Sequence, residues 1–140
     1  MLLDIKSEIH NIFFDSKKSL MTNSWLHNDV IELNNDCYKN EVINWIDAFH
    51  KYSPSFCISD LRNFNYKLSE ELQQWSAEYS RNNIRNSLIQ KYAVIVSKDF
   101  MTHVAIENIL DEYNASYEFQ YFLKLEDAMN WIFHNYPPTL

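Results

Sequence analysis

The 140-residue chain contains no glycine. At average usage of about 7%, roughly ten would be expected. A phosphate-cradling loop, a dinucleotide fingerprint, an EF-hand loop and a nucleophile elbow each need glycine, where backbone turns sharply or approaches a ligand. None of these can be built here in its usual form. Proline is scarce too: Pro54 marks a turn, and Pro137 and Pro138 stand near the C-terminal end. With no linker, repeat or low-complexity block, residues 1–140 read as one domain. Two cysteines, Cys37 and Cys57, allow at most one bridge. The first eight residues carry acids where a signal peptide needs an apolar stretch, so both read as reduced thiols in a cytoplasmic protein. No run approaches the roughly 18 apolar residues of a membrane helix. Positive charge is also short. Twelve Lys and Arg against nineteen Asp and Glu give a net charge of −7. Such a domain repels phosphate backbones, and Lys17-Lys18 and Arg81 with Arg85 are too short to offset that.

Aromatic residues are abundant: 9 Phe, 9 Tyr and 4 Trp, in a chain that is 46% hydrophobic. A packed core is therefore expected. The chain opens with a predicted hairpin, Ile9 to Phe14 and Leu20 to Leu26, around the turn residues Asp15-Ser16-Lys17-Lys18-Ser19. Ile12 and Phe14 share one face. Leu20, Thr22, Ser24 and Leu26 share another, with Trp25 opposite. Val42, Trp45, Ile46 and Phe49 form a helical stripe within Asp36 to Tyr52, which Ser53-Pro54 ends. A short strand, Phe56 to Ser59, follows. Ser69 caps a second helix carrying Leu72, Trp75 and Tyr79, and its end near Asn82-Asn83 is left open. Tyr92 to Val96 reads as a central strand covered on both faces. Asp99 caps a third helix, Phe100 to Tyr113, which Asn114 ends in the left-handed conformation that glycine usually supplies. Tyr117 to Leu123 alternates as a strand, and Leu125 to Asn135 forms the last helix. The order ββαβαβαβα predicts an α/β fold. Its five-stranded sheet is mixed but largely parallel, opening with the antiparallel hairpin, and helices pack on it.

That order resembles the STAS-like fold of anti-sigma-factor antagonists, and small bacterial proteins with that fold. The likeness rests on Trp45 and Phe49, Asp60-Leu61-Arg62-Asn63 after the third strand, Trp75, and the strand Tyr92-Ala93-Val94-Ile95-Val96-Ser97. The segment Phe122 to Ile132, with its acidic-Ala-x-x-Trp pattern, completes it. The resemblance implies a non-enzymatic regulatory or protein-interaction module. The antagonists carry a phosphorylated serine after the third strand, in an Asp-Ser-Ser-Gly-type segment. Here Ser59-Asp60-Leu61-Arg62-Asn63 has no serine after the aspartate and no glycine, so no phosphoacceptor is carried over.

Asp60 and Arg62 fall at the end of a strand, where open α/β sheets place ligands. With Asn63, Phe64 and Tyr66 they form the candidate ligand or partner surface. The competing reading makes Asp60 a turn residue bonding backbone amides, with Arg62 anchoring a carboxylate. Trp25, Phe64 and Tyr66 lie off the helical stripes and are candidates to line a pocket, although a core or dimer contact is the favoured use of such large aromatics. The alternative function is accordingly binding of a small apolar or lipid-like ligand. No metal or cofactor is expected: His103 and Glu107 are one helical turn apart but lack a third ligand of recognisable spacing. Cys57 sits in an apolar strand, and paired acids such as Glu70-Glu71 do not face one another across a cleft. No catalytic centre is predicted. A homodimer is a further expectation, because a hairpin at a sheet edge is free to pair.

Overall fold

The computed structural model describes residues 2–6, 9–26, 33–84, 88–113 and 117–134. These residues form an α/β protein, with six strands and four helices among them. The strands are β1 (Leu2–Lys6), β2 (His10–Asp15), β3 (Leu20–Trp25), β4 (Phe56–Asp60), β5 (Lys91–Ile95) and β6 (Glu118–Phe122). The helices are α1 (Asn35–Tyr52), α2 (Glu70–Asn83), α3 (Phe100–Tyr113) and α4 (Leu125–His134). The strands lie side by side in chain order, β1-β2-β3-β4-β5-β6. The first three form an antiparallel meander, and β3 to β6 run parallel.

This sheet corrects the expected one by a strand. β1 pairs with β2 from Leu2 opposite Asp15 to Lys6 opposite Asn11. The β2–β3 hairpin is therefore interior on both sides, and the sheet edges are β1 and β6. The free-hairpin argument for a homodimer loses its premise.

Chain order also fixes where the helices go. Right-handed crossovers that always step to the next strand put every connecting helix on the same face. Buried side chains of α1, α2 and α3 accordingly pack with Ile12, Phe14, Met21, Trp25, Cys57, Tyr92 and Val94. The other face belongs to α4, whose Ala128, Trp131 and Ile132 cover Leu20, Ile58, Ala93, Ile95 and Phe122. In β5, Tyr92 and Val94 face one layer and Ala93 and Ile95 the other, as a doubly covered strand requires.

The alternation in β3 follows expectation, with Leu20 and Trp25 on opposite faces. Met21, Asn23 and Trp25 are the residues buried under the connecting helices, together with His10, Ile12 and Phe14 of β2. Leu20 does not mark that face; it is buried under α4. β6 stops at Phe122, and Leu123 is exposed.

Local chemistry accounts for the ends. Asn34 caps α1 through its side chain on Cys37 N, and Ser69 caps α2 on Leu72 N. The Asp99 carboxylate takes the Thr102 N–H at 3.3 Å and the Thr102 hydroxyl at 2.6 Å. α2 ends at Asn83, with Ile84 N–H bonded to Ser80 O. Asn114 and Asn135, expected at helix ends, lie outside the described residues, as does Arg85.

In a chain without glycine, serine takes the left-handed positions. Ser53 ends α1 at φ 44°, and Ser19 closes the hairpin turn at φ 51°. A side chain there costs about 1–2 kcal/mol, which glycine avoids. Ser53→Gly is expected to raise stability by about 0.5–1 kcal/mol, because part of that relief is lost to a freer unfolded chain. Ser19→Gly is expected to bring no such gain. Its Oγ accepts from Ser55 N at 2.9 Å and donates to Ser55 Oγ at 3.2 Å, bonds the variant forfeits. Urea titration of the two variants checks the contrast.

Candidate functional site

Two places are built for more than packing: the end of the sheet where the parallel strands finish, and a cavity beneath the connecting helices.

At the sheet end, Asp60 and Arg62 form a two-pronged pair. Arg62 Nε donates to Asp60 Oδ1 at 2.9 Å, and Nη2 donates to Oδ2 at 2.6 Å. The Arg62 backbone N–H also reaches Oδ1, at 3.2 Å. Burial pushes the Asp60 carboxyl up, but the bonds from Arg62 and the nearby Lys98 charge outweigh it and hold the group below its ordinary range. This is the turn-and-anchor arrangement, half exposed to solvent. Asn63 is exposed, whereas Phe64 is 3% exposed and packs between Trp25 and Tyr38. Phe64 therefore belongs to the core and presents no side chain outward. Tyr66 stacks on Tyr38, and its hydroxyl donates to Asn35 Oδ1.

Backbone bonds join this end into one surface. Lys98 N–H donates to Arg62 O and Val96 N–H to Phe122 O, while the Ser97 hydroxyl donates to Phe64 O at 2.7 Å. The loops after β4 and β5 are thus joined to each other, and the loop after β5 to the end of β6. Around them stand large apolar side chains that the core does not claim. Phe100 is 73% exposed, Met101 70% and Leu123 71%.

The cavity lies between the sheet and α1 to α3 and measures about 120 Å³. Its walls include Trp25, Tyr38, Trp45, Phe64 and Tyr92. Trp25 and Phe64 are there as expected of aromatics off the helical stripes; Tyr66 is not among the lining residues. Trp45 belongs both to the helical stripe and to the cavity wall.

Polar groups enter at fixed points. His10, 1% exposed, stacks on Trp25 with centroids 4.3 Å apart. Its Nε2 lies 2.8 Å from Asn23 Nδ2, and its Nδ1 lies 3.1 Å from Glu41 Oε1. An amide nitrogen only donates, so Nε2 accepts and the ring proton sits on Nδ1, facing the carboxylate. Asn23 is 4% exposed and lines the cavity. Its Oδ1 is buried without a hydrogen-bond partner.

Opposite, the Tyr92 hydroxyl accepts from Trp45 Nε1 at 3.0 Å and meets Ser59 Oγ at 2.5 Å. The Tyr38 hydroxyl meets Ser76 Oγ at 2.8 Å, and Ser76 returns its proton to Leu72 O. Burial pushes Tyr38 up to about 12 against the Ser76 bond that lowers it. Burial above all pushes Tyr92 well above the ordinary phenol range.

Sequence reasoning missed His10 and Asn23. The signal was present: each stands in the register of apolar neighbours, His10 with Ile12 and Phe14, Asn23 with Met21 and Trp25. A polar residue in a buried register needs a partner, and here each supplies the other's.

The remaining candidates behave as structural groups. Burial pushes the Cys57 thiol far up, away from the thiolate that nucleophilic chemistry needs. His103 Nε2 lies 3.0 Å from Glu107 Oε1, an i, i+4 pair on α3. Among the described residues no three His, Cys, Asp or Glu side chains are placed to hold a metal ion. Among them, too, no helix is long and apolar enough to cross a membrane.

No protein-family model matches the chain, and no curated protein or solved structure does either. Fold and site by themselves define an α/β protein with a mixed, chain-ordered sheet. It carries an exposed apolar end and an aromatic cavity under three helices.

Proposed function

We propose that the chain is a non-enzymatic regulatory or protein-interaction module of STAS-like type, working in the cytoplasm. It docks a partner protein at the end of the sheet where β4, β5 and β6 finish. The observation that supports this reading most is the exposure of Phe100, Met101 and Leu123 around loops that are themselves joined by hydrogen bonds. Apolar side chains grouped at one end are characteristic of interaction surfaces. Asp60, Arg62, Asn63 and Tyr66, at the end of β4 and in the loop that follows it, are the polar residues of the proposed surface. The mechanism is surface complementarity: apolar residues are desolvated at the centre, and polar groups at the rim set orientation.

A photo-crosslinking residue placed at Met101 tests this in cells of the source organism. A discrete adduct is expected from position 101 and not from Glu78, which is exposed on α2. Leu123→Asp is expected to remove the adduct, and Arg62→Ala to weaken it. Equal labelling from both positions, or none from Met101, overturns the reading.

A further inference from the structure

We infer that the partner docked at the sheet end is a second copy of this chain. This rests on the docking reading and gives that surface one occupant.

The exposed apolar side chains come together from two neighbouring elements. The His103 ring on α3 stands edge-on to Tyr121 of β6, with centroids 5.6 Å apart. Phe100 lies one helical turn before His103, on the same side of the helix. Leu123 lies two residues beyond Tyr121, on the same side of the chain. α3 runs back against the direction of β5 and β6, so both steps lead outward past the end of the sheet. One turn is about 5.4 Å and two strand residues about 6.6 Å, which brings Phe100 and Leu123 to the same level. Met101 follows Phe100, and Leu125 opens α4.

The patch is large enough for a dimer. Leu125 is 43% exposed, and with Phe100, Met101 and Leu123 it leaves roughly 500 Å² of large apolar residues open, at about 200 Å² for each one fully exposed. That is well over half of the roughly 800 Å² each partner gives to a stable interface.

Charge selects the occupant. Each copy carries −7, so two chains repel over most of their surface. At the sheet end the charges balance. Exposed Lys98 and Asp99 precede Phe100, and exposed Lys124 and Glu126 alternate with Leu123 and Leu125. Arg62 is already paired with Asp60, and the half-buried Asp127 has contacts of its own. A two-fold interface sets a patch against itself, so a patch of one sign repels its own copy. Equal numbers of both signs let the lysines of one copy face the acids of the other. A partner chosen for opposite charge would call for a patch of one sign.

Sedimentation equilibrium of the full chain tests this. A reversible monomer–dimer equilibrium is expected at micromolar concentration, and the Met101 adduct should have twice the mass of the chain. Leu123→Asp should weaken the dimer at least about tenfold, since each copy then brings a charge to the apolar centre. Lys124→Glu and Glu126→Lys each tip the patch to one sign, and each alone should weaken self-association about tenfold. Mixed together, these two variants should associate again as unlike pairs. All three positions are exposed, so the variants leave the core intact. A native chain that stays monomeric overturns the inference, as does a dimer that Leu123→Asp leaves unchanged, or charge variants that fail to recover on mixing. If the native chain is monomeric and Met101 crosslinks to a different protein, the second copy is excluded and the docking reading stands.

Discussion

Trp131→Ala is expected to destabilise the protein by about 3–5 kcal/mol, the range for deleting a buried large aromatic. α4 has only ten residues, and three are buried: Ala128, Trp131 and Ile132. Ala128 brings the helix close to the sheet but contributes little area. Trp131 contributes most of it, packing on Phe122 with centroids 5.6 Å apart. Lys91 Nζ lies 4.8 Å over its ring and donates to the Trp131 carbonyl at 2.9 Å. Without the indole, the helix loses both the packing and the cation held over it. Total stability of a domain is about 5–15 kcal/mol, so the loss takes a large share. Because α4 is, among the described residues, the helix that covers its face of the sheet, the damage is expected to be local first. Urea unfolding measures the loss, and limited proteolysis should cut the α4 region before any other segment. Trp131→Phe, which keeps a ring against Phe122, should retain much of the stability. A Trp131→Ala protein as stable as the native one would mean that α4 does not hold that face closed.

Alkaline unfolding is the second large effect. Tyr38 and Tyr92 are 4% and 8% exposed, and both are hydrogen-bonded as neutral phenols. Tyr38 is raised to about 12 and Tyr92 further, chiefly by burial. In the unfolded chain each ionises near its ordinary value of about 10. Above that pH the unfolded state releases protons that the folded state keeps, so rising pH favours unfolding. The tyrosine contribution is complete below pH 10. It falls by about 1.4 kcal/mol per pH unit for each group until the folded tyrosine itself ionises. Two such groups give roughly 3 kcal/mol per unit until Tyr38 ionises near 12, a loss of about 5–6 kcal/mol that suffices to unfold a domain at the lower end of the ordinary stability range. Circular dichroism against pH should show a cooperative loss of structure. Tyrosinate absorbance should rise with it rather than before it. Tyr92→Phe should halve the slope, while weakening the protein at neutral pH by leaving the Trp45 N–H unmatched. Tyr38 or Tyr92 ionising in the still-folded protein near pH 10 would contradict the burial described.

How much of this was legible beforehand varies along the chain for physical reasons. α3 was readable to the residue, because Asp99 caps it and its apolar positions recur at helical spacing. β5 was readable because only a strand covered on both sides is apolar without interruption. β1 was not. Leu-Leu-Asp-Ile-Lys carries little strand signal, and its conformation comes from pairing with β2. The alternation of β3 was legible, with Leu20 on one face and Trp25 on the other. Only the fold reveals that Leu20 answers to α4 and that Met21 and Trp25 answer to α1 to α3. The cavity's polar corner was not legible. Trp25 and Phe64 stood out as aromatics outside any helical stripe. His10 and Asn23 meet through a cross-strand bond over 13 positions, which no local pattern encodes. The Asp60–Arg62 segment was legible as a turn, and it is one. What its surroundings offer a partner depends on Phe100, Met101 and Leu123, ordinary apolar positions in sequence that the fold leaves uncovered.

A sheet whose spatial order equals its chain order can be laid down one strand at a time. The antiparallel meander needs only short loops to close, so β1 to β3 can form early and serve as a template. Each later strand then docks on the edge left by the one before. The hazard moves along with that edge. Once β5 has joined, its Lys91–Ile95 backbone is open to any other strand, and it is the most apolar edge the chain ever presents. β6 ends the exposure by covering it with a strand that carries Glu118 and Gln120 among its aromatics. Growth of the sheet therefore stops on a strand poorly suited to recruit another, and arrival of β6 is the step that protects the folding chain from its neighbours.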